Sequence, residues 1–389
     1  MIKGDEMEVR KRRRLRCWSK LHPYEDYRDF GRQPFILTLE IGYALIPLAE
    51  QEKGALLLEE IKHLRNEIDG EYGLTLPAVH IRDNSCIEPN EYRLLLHGTE
   101  ITKFENARIG YCLCIDTGAV TKELVGEKTK EPAFGMDAIY LPEDRREEAA
   151  SAGYVVADLE IVIRTHLKEV IKKNLTKFLD QCMVNTLINK VRDRNPDVVD
   201  DVFFMHNFST SKIKTILNWL LEEGISIRDI NSILEAIADN LEKTQRPAEL
   251  LGLVREKLAY QFLPKLADKK KVIHVIRVSK NLSETLIKHI YYPKLESPYI
   301  ALEPDERKKL NEEITRKTDS MKEKGYEPVF MMVSDLRMYL SDYIRHWFGN
   351  WACISDLELY SVRKDISIVV EEELDVDEIK INEPCSCGN

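Results

Sequence analysis

The spacing of apolar residues changes along this chain, and these changes constrain the fold more than any single motif. At residues 35–41 apolar side chains alternate with Thr38 and Glu40, which is typical of a strand. The next segment carries apolar residues at helical spacing, from Leu57 to Tyr72. Residues 180–263 keep helical spacing throughout, and alternation returns at residues 272–278. We therefore predict a multidomain α+β fold.

The first mixed region predicts a domain interrupted by an insertion. Short strand patterns at residues 78–82, 92–97 and 110–115 follow the first strand and helix and give a β-α-β-β-β order. A stretch rich in Gly, Thr and charge follows, and a long helical pattern then begins after Asp158, a suitable N-cap. We predict an α/β first subdomain at residues 35–107 and 159–179, with a small β-rich second subdomain inserted at 108–158.

The rest of the chain predicts two further subdomains and two terminal segments. Residues 180–263 form a helical third subdomain, in which Gly224 is placed for a left-handed C-cap. Residues 264–370 interleave strand and helix patterns, which is typical of an α/β layer domain. We interpret residues 1–34 as an N-terminal linker. Residues 371–389 begin with a run of acidic side chains and are predicted to be a disordered tail.

Charge and hydropathy limit the classes of partner. The net charge of −10 over 389 residues argues against nucleic acid, which needs a broad basic face. The basic run from Arg10 to Arg16 has two interpretations, a solvated tail or a cytoplasmic segment beside a membrane span. The sequence holds neither the roughly 18 apolar residues of a spanning helix nor the apolar region of a signal peptide. We expect a cytoplasmic location.

Motifs that carry catalytic or cofactor chemistry are absent from the sequence. It contains no glycine-rich phosphate loop, no metalloprotease helix motif and no nucleophile elbow, so we predict no catalytic residue and no cofactor. Cys112 and Cys114 alternate in an apolar strand, as small hydrophobes do. Cys385 and Cys387 offer two thiolates, but a closed zinc site needs four ligands, so we predict no metal site.

Several short motifs in series resemble the FHIPEP family, the export gates of flagellar (FlhA) and virulence (SctV) type III secretion. The resemblance covers residues 35–360. The motifs are LEIGYALIPL at 39–48, VHIRDN at 79–84, EPNEYR at 88–93, GEKT at 126–129, EPAFG at 131–135, GYVV at 153–156, THL at 165–167 and LLEEGISIRD at 220–229.

The resemblance implies a cytoplasmic region of four subdomains that lies at the inner membrane face. It implies a nine-membered ring, whose head-to-tail contact must close on itself. The implied partners are export chaperones, their secreted substrates and other components of the export apparatus, and no enzymatic activity is implied. The family's membrane domain has no counterpart here, so we expect any membrane association to depend on a missing or separate membrane domain.

The resemblance also places a chaperone-binding dimple between the first two subdomains, at Glu131, Phe134 and Thr165. An exposed aromatic ring in a concave surface suits the apolar face of a chaperone helix, and a carboxylate at the rim would set its orientation. The alternative is that Phe134 packs in the core and Glu131 is a solvated loop charge. At the level of function, the alternative to a ring-forming docking platform is a soluble adaptor that forms no ring.

Overall fold

The computed structural model describes residues 35–50, 55–293 and 298–376. The basic run Arg10 to Arg16, the rest of the predicted linker, and Cys385 and Cys387 lie outside the described residues. The chain divides into two units, one ending at Phe178 and the other beginning at Leu179. Each unit is described by itself.

The first sheet of the first unit has the order β2-β1-β3-β4. Its strands are β1 (Leu37–Ile41), β2 (Val79–Asp83), β3 (Tyr92–Leu96) and β4 (Thr99–Phe104). β1 runs parallel to β2 and antiparallel to β3. Helix α1 (Leu56–Tyr72) buries Leu57, Ile61, Leu64, Ile68 and Tyr72, which confirms the predicted apolar stripe. β4 was not predicted, because its polar sequence TEITKF shows little apolar alternation.

The second sheet of this unit has the order β6-β7-β5-β8. It consists of β5 (Tyr111–Ile115), β6 (Glu127–Lys130), β7 (Asp137–Pro142) and β8 (Val155–Ala157), with helix α2 (Arg146–Ser151) before β8. Cys112 and Cys114 lie buried on β5 with their Sγ atoms 3.8 Å apart. Helix α3 (Leu159–Lys172) follows, and its Val162 packs against this sheet. Asp158 precedes α3, but its carboxylate pairs with Arg146 and does not cap the helix.

The second unit begins with helices. They are α4 (Gln181–Arg192), α5 (Pro196–Asp200), α6 (Thr210–Glu222), α7 (Ile230–Ala238) and α8 (Pro247–Leu266). Gly224 adopts the predicted left-handed conformation after α6, with φ of 70°. Asp229 caps α7 by accepting a hydrogen bond from the Ser232 amide.

A parallel sheet in the order β13-β12-β9-β14 forms the remainder of the second unit. Its strands are β9 (Val272–Val278), β12 (Val329–Met332), β13 (Ala352–Ser355) and β14 (Ser367–Leu374), and a short pair, β10 (Ile290–Tyr291) and β11 (Tyr299–Ile300), lies apart from it. The helices are α9 (Lys280–Lys288), α10 (Pro304–Glu323), α11 (Ser334–Trp347) and α12 (Asp356–Val362). Helices cover both faces, α9–α11 on one and α8 with α12 on the other, as a parallel sheet requires.

The predicted acidic tail is wrong for its first residues. Residues 371–374 complete β14, which pairs along β9, and Leu374 is fully buried. Glu372 accepts hydrogen bonds from Ser320, Lys317 and Lys324 of α10 and the turn after it. The ammonium groups of the two lysines compensate the charge of the acidic run, so the strand packs in spite of that charge. The remainder of the predicted tail, residues 377–389, lies outside the described residues.

A buried network of charges joins the helical part of the second unit to its parallel sheet. Arg255 of α8 donates to Glu358 of α12 at 2.6 Å and also contacts Glu223, which follows α6. Arg337 of α11 donates to Glu223 at 2.9 Å. All four side chains are at most 9% exposed. Because every charge has an opposite partner, the two parts of the unit are held together by a compensated network.

Candidate functional site

Phe134 lies on the loop that joins β6 to β7 and is 61% exposed. The loop closes through two backbone hydrogen bonds, from the Glu131 amide to the Met136 carbonyl at 2.8 Å and from the Gly135 amide to the Glu131 carbonyl at 2.9 Å. Gly135 has φ of 72°, a conformation that favours glycine. The aromatic side chain is therefore presented to solvent by a tight turn. The alternative that Phe134 is a core residue does not agree with this exposure.

Glu131 is buried beneath this loop and stabilises it. Its side chain is 3% exposed, and its two carboxylate oxygens accept hydrogen bonds of 2.8 Å from the amides of Ala133 and Phe134. A carboxylate with two backbone donors is a strong local anchor. Glu131 is thus neither a solvated loop charge nor a carboxylate on an open rim. It fixes the backbone that carries Phe134.

Thr165 belongs to a different element, helix α3, and is half-buried. Its hydroxyl donates to the Ile161 carbonyl one turn earlier, at 2.8 Å, as threonine commonly does inside a helix. The structure therefore places Glu131 and Phe134 together on one loop and Thr165 on the neighbouring helix.

A buried hydrogen-bonded cluster joins helix α3 to strands β3 and β4 of the first sheet. The Tyr92 hydroxyl and His166 Nδ1 are 2.8 Å apart, and His166 Nε2 and the Thr102 hydroxyl are 3.0 Å apart. Burial, followed by the neighbouring charges of Tyr140 and Glu131, raises the pKa of Tyr92 well above its ordinary value. The Glu131 carboxylate is thus close enough to Tyr92 to influence its ionisation.

His166 has a structural role. Burial, and secondly the positive charge of Lys173, lowers the pKa of His166 to about 4, so the ring is neutral at pH 7. The sequence did not indicate Tyr92 or Thr102 as partners of this ring, because residues so distant in the chain leave no local pattern. Tyr92 lies in a predicted strand, whereas Thr102 lies in β4, which was not predicted.

In the part of the chain that the structure describes, no group of three or more His, Cys, Asp or Glu side chains is arranged to hold a metal ion. Across the same residues, no helix has both the length and the apolar character needed to cross a membrane.

Solved structures with this fold include the nonameric EscV cytosolic domain from the type III secretion system. The Chlamydia pneumoniae CdsV structure matches with a TM-score of 0.77 at 22% identity, covering 90% of this chain and 100% of that one. The nonameric EPEC SctV-C structure matches with a TM-score of 0.69 at 19% identity, covering 88% of this chain and 100% of that one. At these identities the likeness establishes the fold, and it confirms the predicted multidomain α+β class.

Residues 18–364 match the model of the FHIPEP family, and the chain belongs to that family. Flagellar biosynthesis protein FlhA of Treponema pallidum is 32% identical over 349 residues, which are 88% of this chain and 48% of that protein. FlhA of Helicobacter pylori is 31% identical over 325 residues, 83% of this chain and 44% of that protein. The chain thus spans about half the length of these relatives. The resemblance predicted from the motifs is confirmed, and it groups the chain with flagellar biosynthesis and type III secretion proteins rather than with enzymes.

Proposed function

We propose that this chain is a docking platform of a bacterial type III export gate that binds complexes of export chaperones with their substrates and delivers them to the export channel. The observation that carries the proposal is the exposed ring of Phe134 on a loop fixed by Glu131. Membership of the FHIPEP family supports it. In this function the chain acts at the cytoplasmic face of the inner membrane.

The geometry suits capture of an apolar helix face. A large aromatic side chain supplies contact area with little conformational freedom to lose on binding. Because Glu131 holds the amides of Ala133 and Phe134, the loop is ordered before a partner arrives. We assign Phe134 the contact with the chaperone, Glu131 the positioning of the loop, and Thr165 a place on the adjoining wall of the dimple.

We further propose that the platform works as a ring. SctV-C and EscV, which share this fold, have been solved as nonamers, and CdsV has been solved in a complex with CdsO. A ring multiplies weak single-site contacts because it raises the local concentration of sites. Other components of the export apparatus, including a protein of the CdsO kind, would then meet several copies together.

A pull-down with flagellar or injectisome export chaperones tests the docking site. The variant Phe134→Ala removes the exposed ring and is expected to weaken chaperone capture about ten-fold, a typical cost for an interface aromatic. Phe204→Ala is the matched control, since Phe204 is 75% exposed but lies in the second unit. Equal capture by the wild type and Phe134→Ala would remove the dimple from the proposal.

Light scattering at increasing protein concentration tests the ring. We expect the mean mass to rise with concentration toward that of a closed oligomer. A strictly monomeric protein at high concentration that still binds chaperones would instead favour the adaptor that forms no ring.

A further inference from the structure

A groove of about 630 Å³ runs along helix α10 in the second unit. Its α10 residues recur at helical spacing, from Pro304 through Arg307 and Asn311 to Arg316, and Trp347 at the end of α11 forms the opposite wall. Over these positions α10 advances about 18 Å, at 1.5 Å per residue. The groove is thus about three helical turns long.

The groove lies on a face of α10 that does not pack against the core. The core-facing positions of this helix are a separate stripe of buried residues: Glu306, Leu310, Ile314, Thr318 and Met321. A helix of a globular protein needs one such stripe, and its other faces are normally polar and convex. Here the second face meets a tryptophan that is 46% exposed. Exposed tryptophan is frequent at binding hot spots.

Trp347 is held in place by its neighbours. The guanidinium carbon of Arg307 lies 5.2 Å from the centre of the indole ring, and the rings of His346 and Tyr343 lie 5.0 and 6.4 Å away. The Tyr343 hydroxyl donates to Asn311 at 2.7 Å and ties α11 to α10. A ring fixed in this way loses little freedom when a partner covers it.

The charges along the groove are unequally compensated. Lys308 pairs with Glu312 at 3.9 Å, and Arg316 makes two hydrogen bonds to Glu313. Arg307 differs, because in the described part of the chain its guanidinium has a ring contact but no ion pair. A planar guanidinium on an aromatic face retains donors for a carboxylate. The Arg307 guanidinium is therefore available to a partner's carboxylate, beside an indole ring that suits an apolar side chain.

We propose that this groove binds an amphipathic helix of a partner protein, with an apolar residue against Trp347 and a carboxylate on Arg307. The length of the groove fits about three turns of helix, and the unpaired guanidinium fixes the sign of the partner's charge. The groove residues belong to the second unit and Phe134 to the first, and the proposal does not depend on the function proposed for Phe134.

The probe is a fluorescein-labelled helical peptide of about 16 residues, enough for the three turns, with Leu and Glu one turn apart on one face. A second peptide carries Gln in place of that Glu. Fluorescence anisotropy measures both against the full chain. We expect the Glu peptide to bind the wild type at least five-fold more tightly than the Gln peptide, and less tightly in high salt.

Variants on both sides of the contact complete the test. Arg307→Ala is expected to weaken the Glu peptide about five-fold and to leave the Gln peptide unchanged, and Trp347→Ala to weaken both about ten-fold. Tyr360→Ala and Arg363→Ala are matched controls, since Arg363 lies over the exposed ring of Tyr360 elsewhere in the unit. Arg307 is on the surface of α10, so its variant keeps the proposal testable if Trp347→Ala fails to fold.

Four results would overturn the proposal. The first three are no binding of the Glu peptide at 1 mM, equal binding of the two peptides, and an equal loss in the Tyr360 controls. The fourth is a change in the oligomeric mass of Trp347→Ala with unaltered peptide binding, which would make the groove a contact between copies of the chain. Phe134→Ala should bind both peptides as the wild type does, which separates this result from the chaperone test.

Discussion

Glu131 shows what the sequence could and could not predict for a single residue. The motif EPAFG identified the loop and its exposed aromatic, but the carboxylate was predicted to lie at a rim. The structure buries it against the amides of Ala133 and Phe134. That burial depends on how the loop folds back between β6 and β7, and spacing alone does not encode it. The local signal is a glutamate that lies two and three residues before the backbone amides that it binds.

The first prediction concerns this loop. In Glu131→Gln one carboxylate oxygen becomes an amide donor, so one of the two backbone amides loses its acceptor at a cost of about 1–2 kcal/mol. We expect hydrogen exchange at Ala133 and Phe134 to quicken about ten-fold. Glu127→Gln, at a half-exposed glutamate of β6, is the control and should leave both rates unaltered. Unchanged exchange in Glu131→Gln would mean that the carboxylate does not order the loop.

The second prediction uses the depressed pKa of His166. The folded protein keeps His166 neutral down to about pH 4, whereas the unfolded chain takes up a proton near pH 6.5. Unfolding thus binds a proton between these values, so the His166 contribution is complete above pH 6.5 and falls as the pH drops toward 4, by about 3 kcal/mol.

Denaturant unfolding at several pH values checks it. His166→Gln, whose side chain does not titrate, should lose stability less steeply than the wild type between pH 6.5 and 4. The control His63→Gln alters an exposed histidine of α1 and should keep the wild-type slope. Parallel curves for all three proteins would contradict the assignment.

At the level of elements, strong apolar periodicity predicted helices and strands correctly, whereas runs of polar and charged residues concealed strands. The stripe of α1 was predicted residue by residue, and the strand β1 was predicted to within two residues at its start. β4 and the acidic half of β14 were not predicted, because their sequences look solvated. Both are stabilised by partners far along the chain, such as the lysines around the end of α10 that compensate Glu372. Tertiary context overrode local propensity in these strands.

The third prediction tests this compensation. Hydrogen bonds from Lys324, Ser320 and Lys317 lower the pKa of Glu372 to about 2. Its contribution to stability is therefore complete above about pH 4.5 and is lost as the pH falls toward 2. Glu372→Gln should destabilise the protein by about 1 kcal/mol at pH 7, after allowance for solvent screening, and by less below pH 4.

Thermal unfolding at pH 7 and pH 3 measures the difference. Glu373→Gln is the control, since Glu373 is 52% exposed and pairs with the half-exposed Arg277. A deficit in Glu372→Gln that persists undiminished at pH 3 would show that charge is not its cause.

At the scale of the whole molecule, the sequence predicted the order of helical and mixed segments along the chain but not the contacts that join them. The network of Glu223, Arg255, Arg337 and Glu358 links the helical part of the second unit to its sheet. Burial opposes ionisation of Glu223, but the nearby guanidinium groups of Arg255 and Arg337 outweigh it and hold the pKa of the carboxyl below its ordinary value. Residues so far apart gave no sequence pattern, although buried arginine is uncommon enough to stand out once the fold is known.

The fourth prediction concerns this network. Arg255→Met leaves Glu358 buried without its main partner and should cost about 3–5 kcal/mol. The double variant Arg255→Met, Glu358→Gln removes both charges and should recover part of that loss. Urea unfolding of the wild type, both single variants and the double variant gives the coupling energy. A coupling energy near zero would mean that the pair does not hold the two parts together.

The position of β14 in the parallel sheet also affects how the protein is made. β14 closes that sheet by pairing with β9, the first strand of the sheet in the chain. When β9, β12 and β13 have been synthesised and β14 has not, β9 is therefore an edge strand with one side unpaired. Until Leu374 has emerged from the ribosome and packed in the core, that edge is open to pairing with another chain.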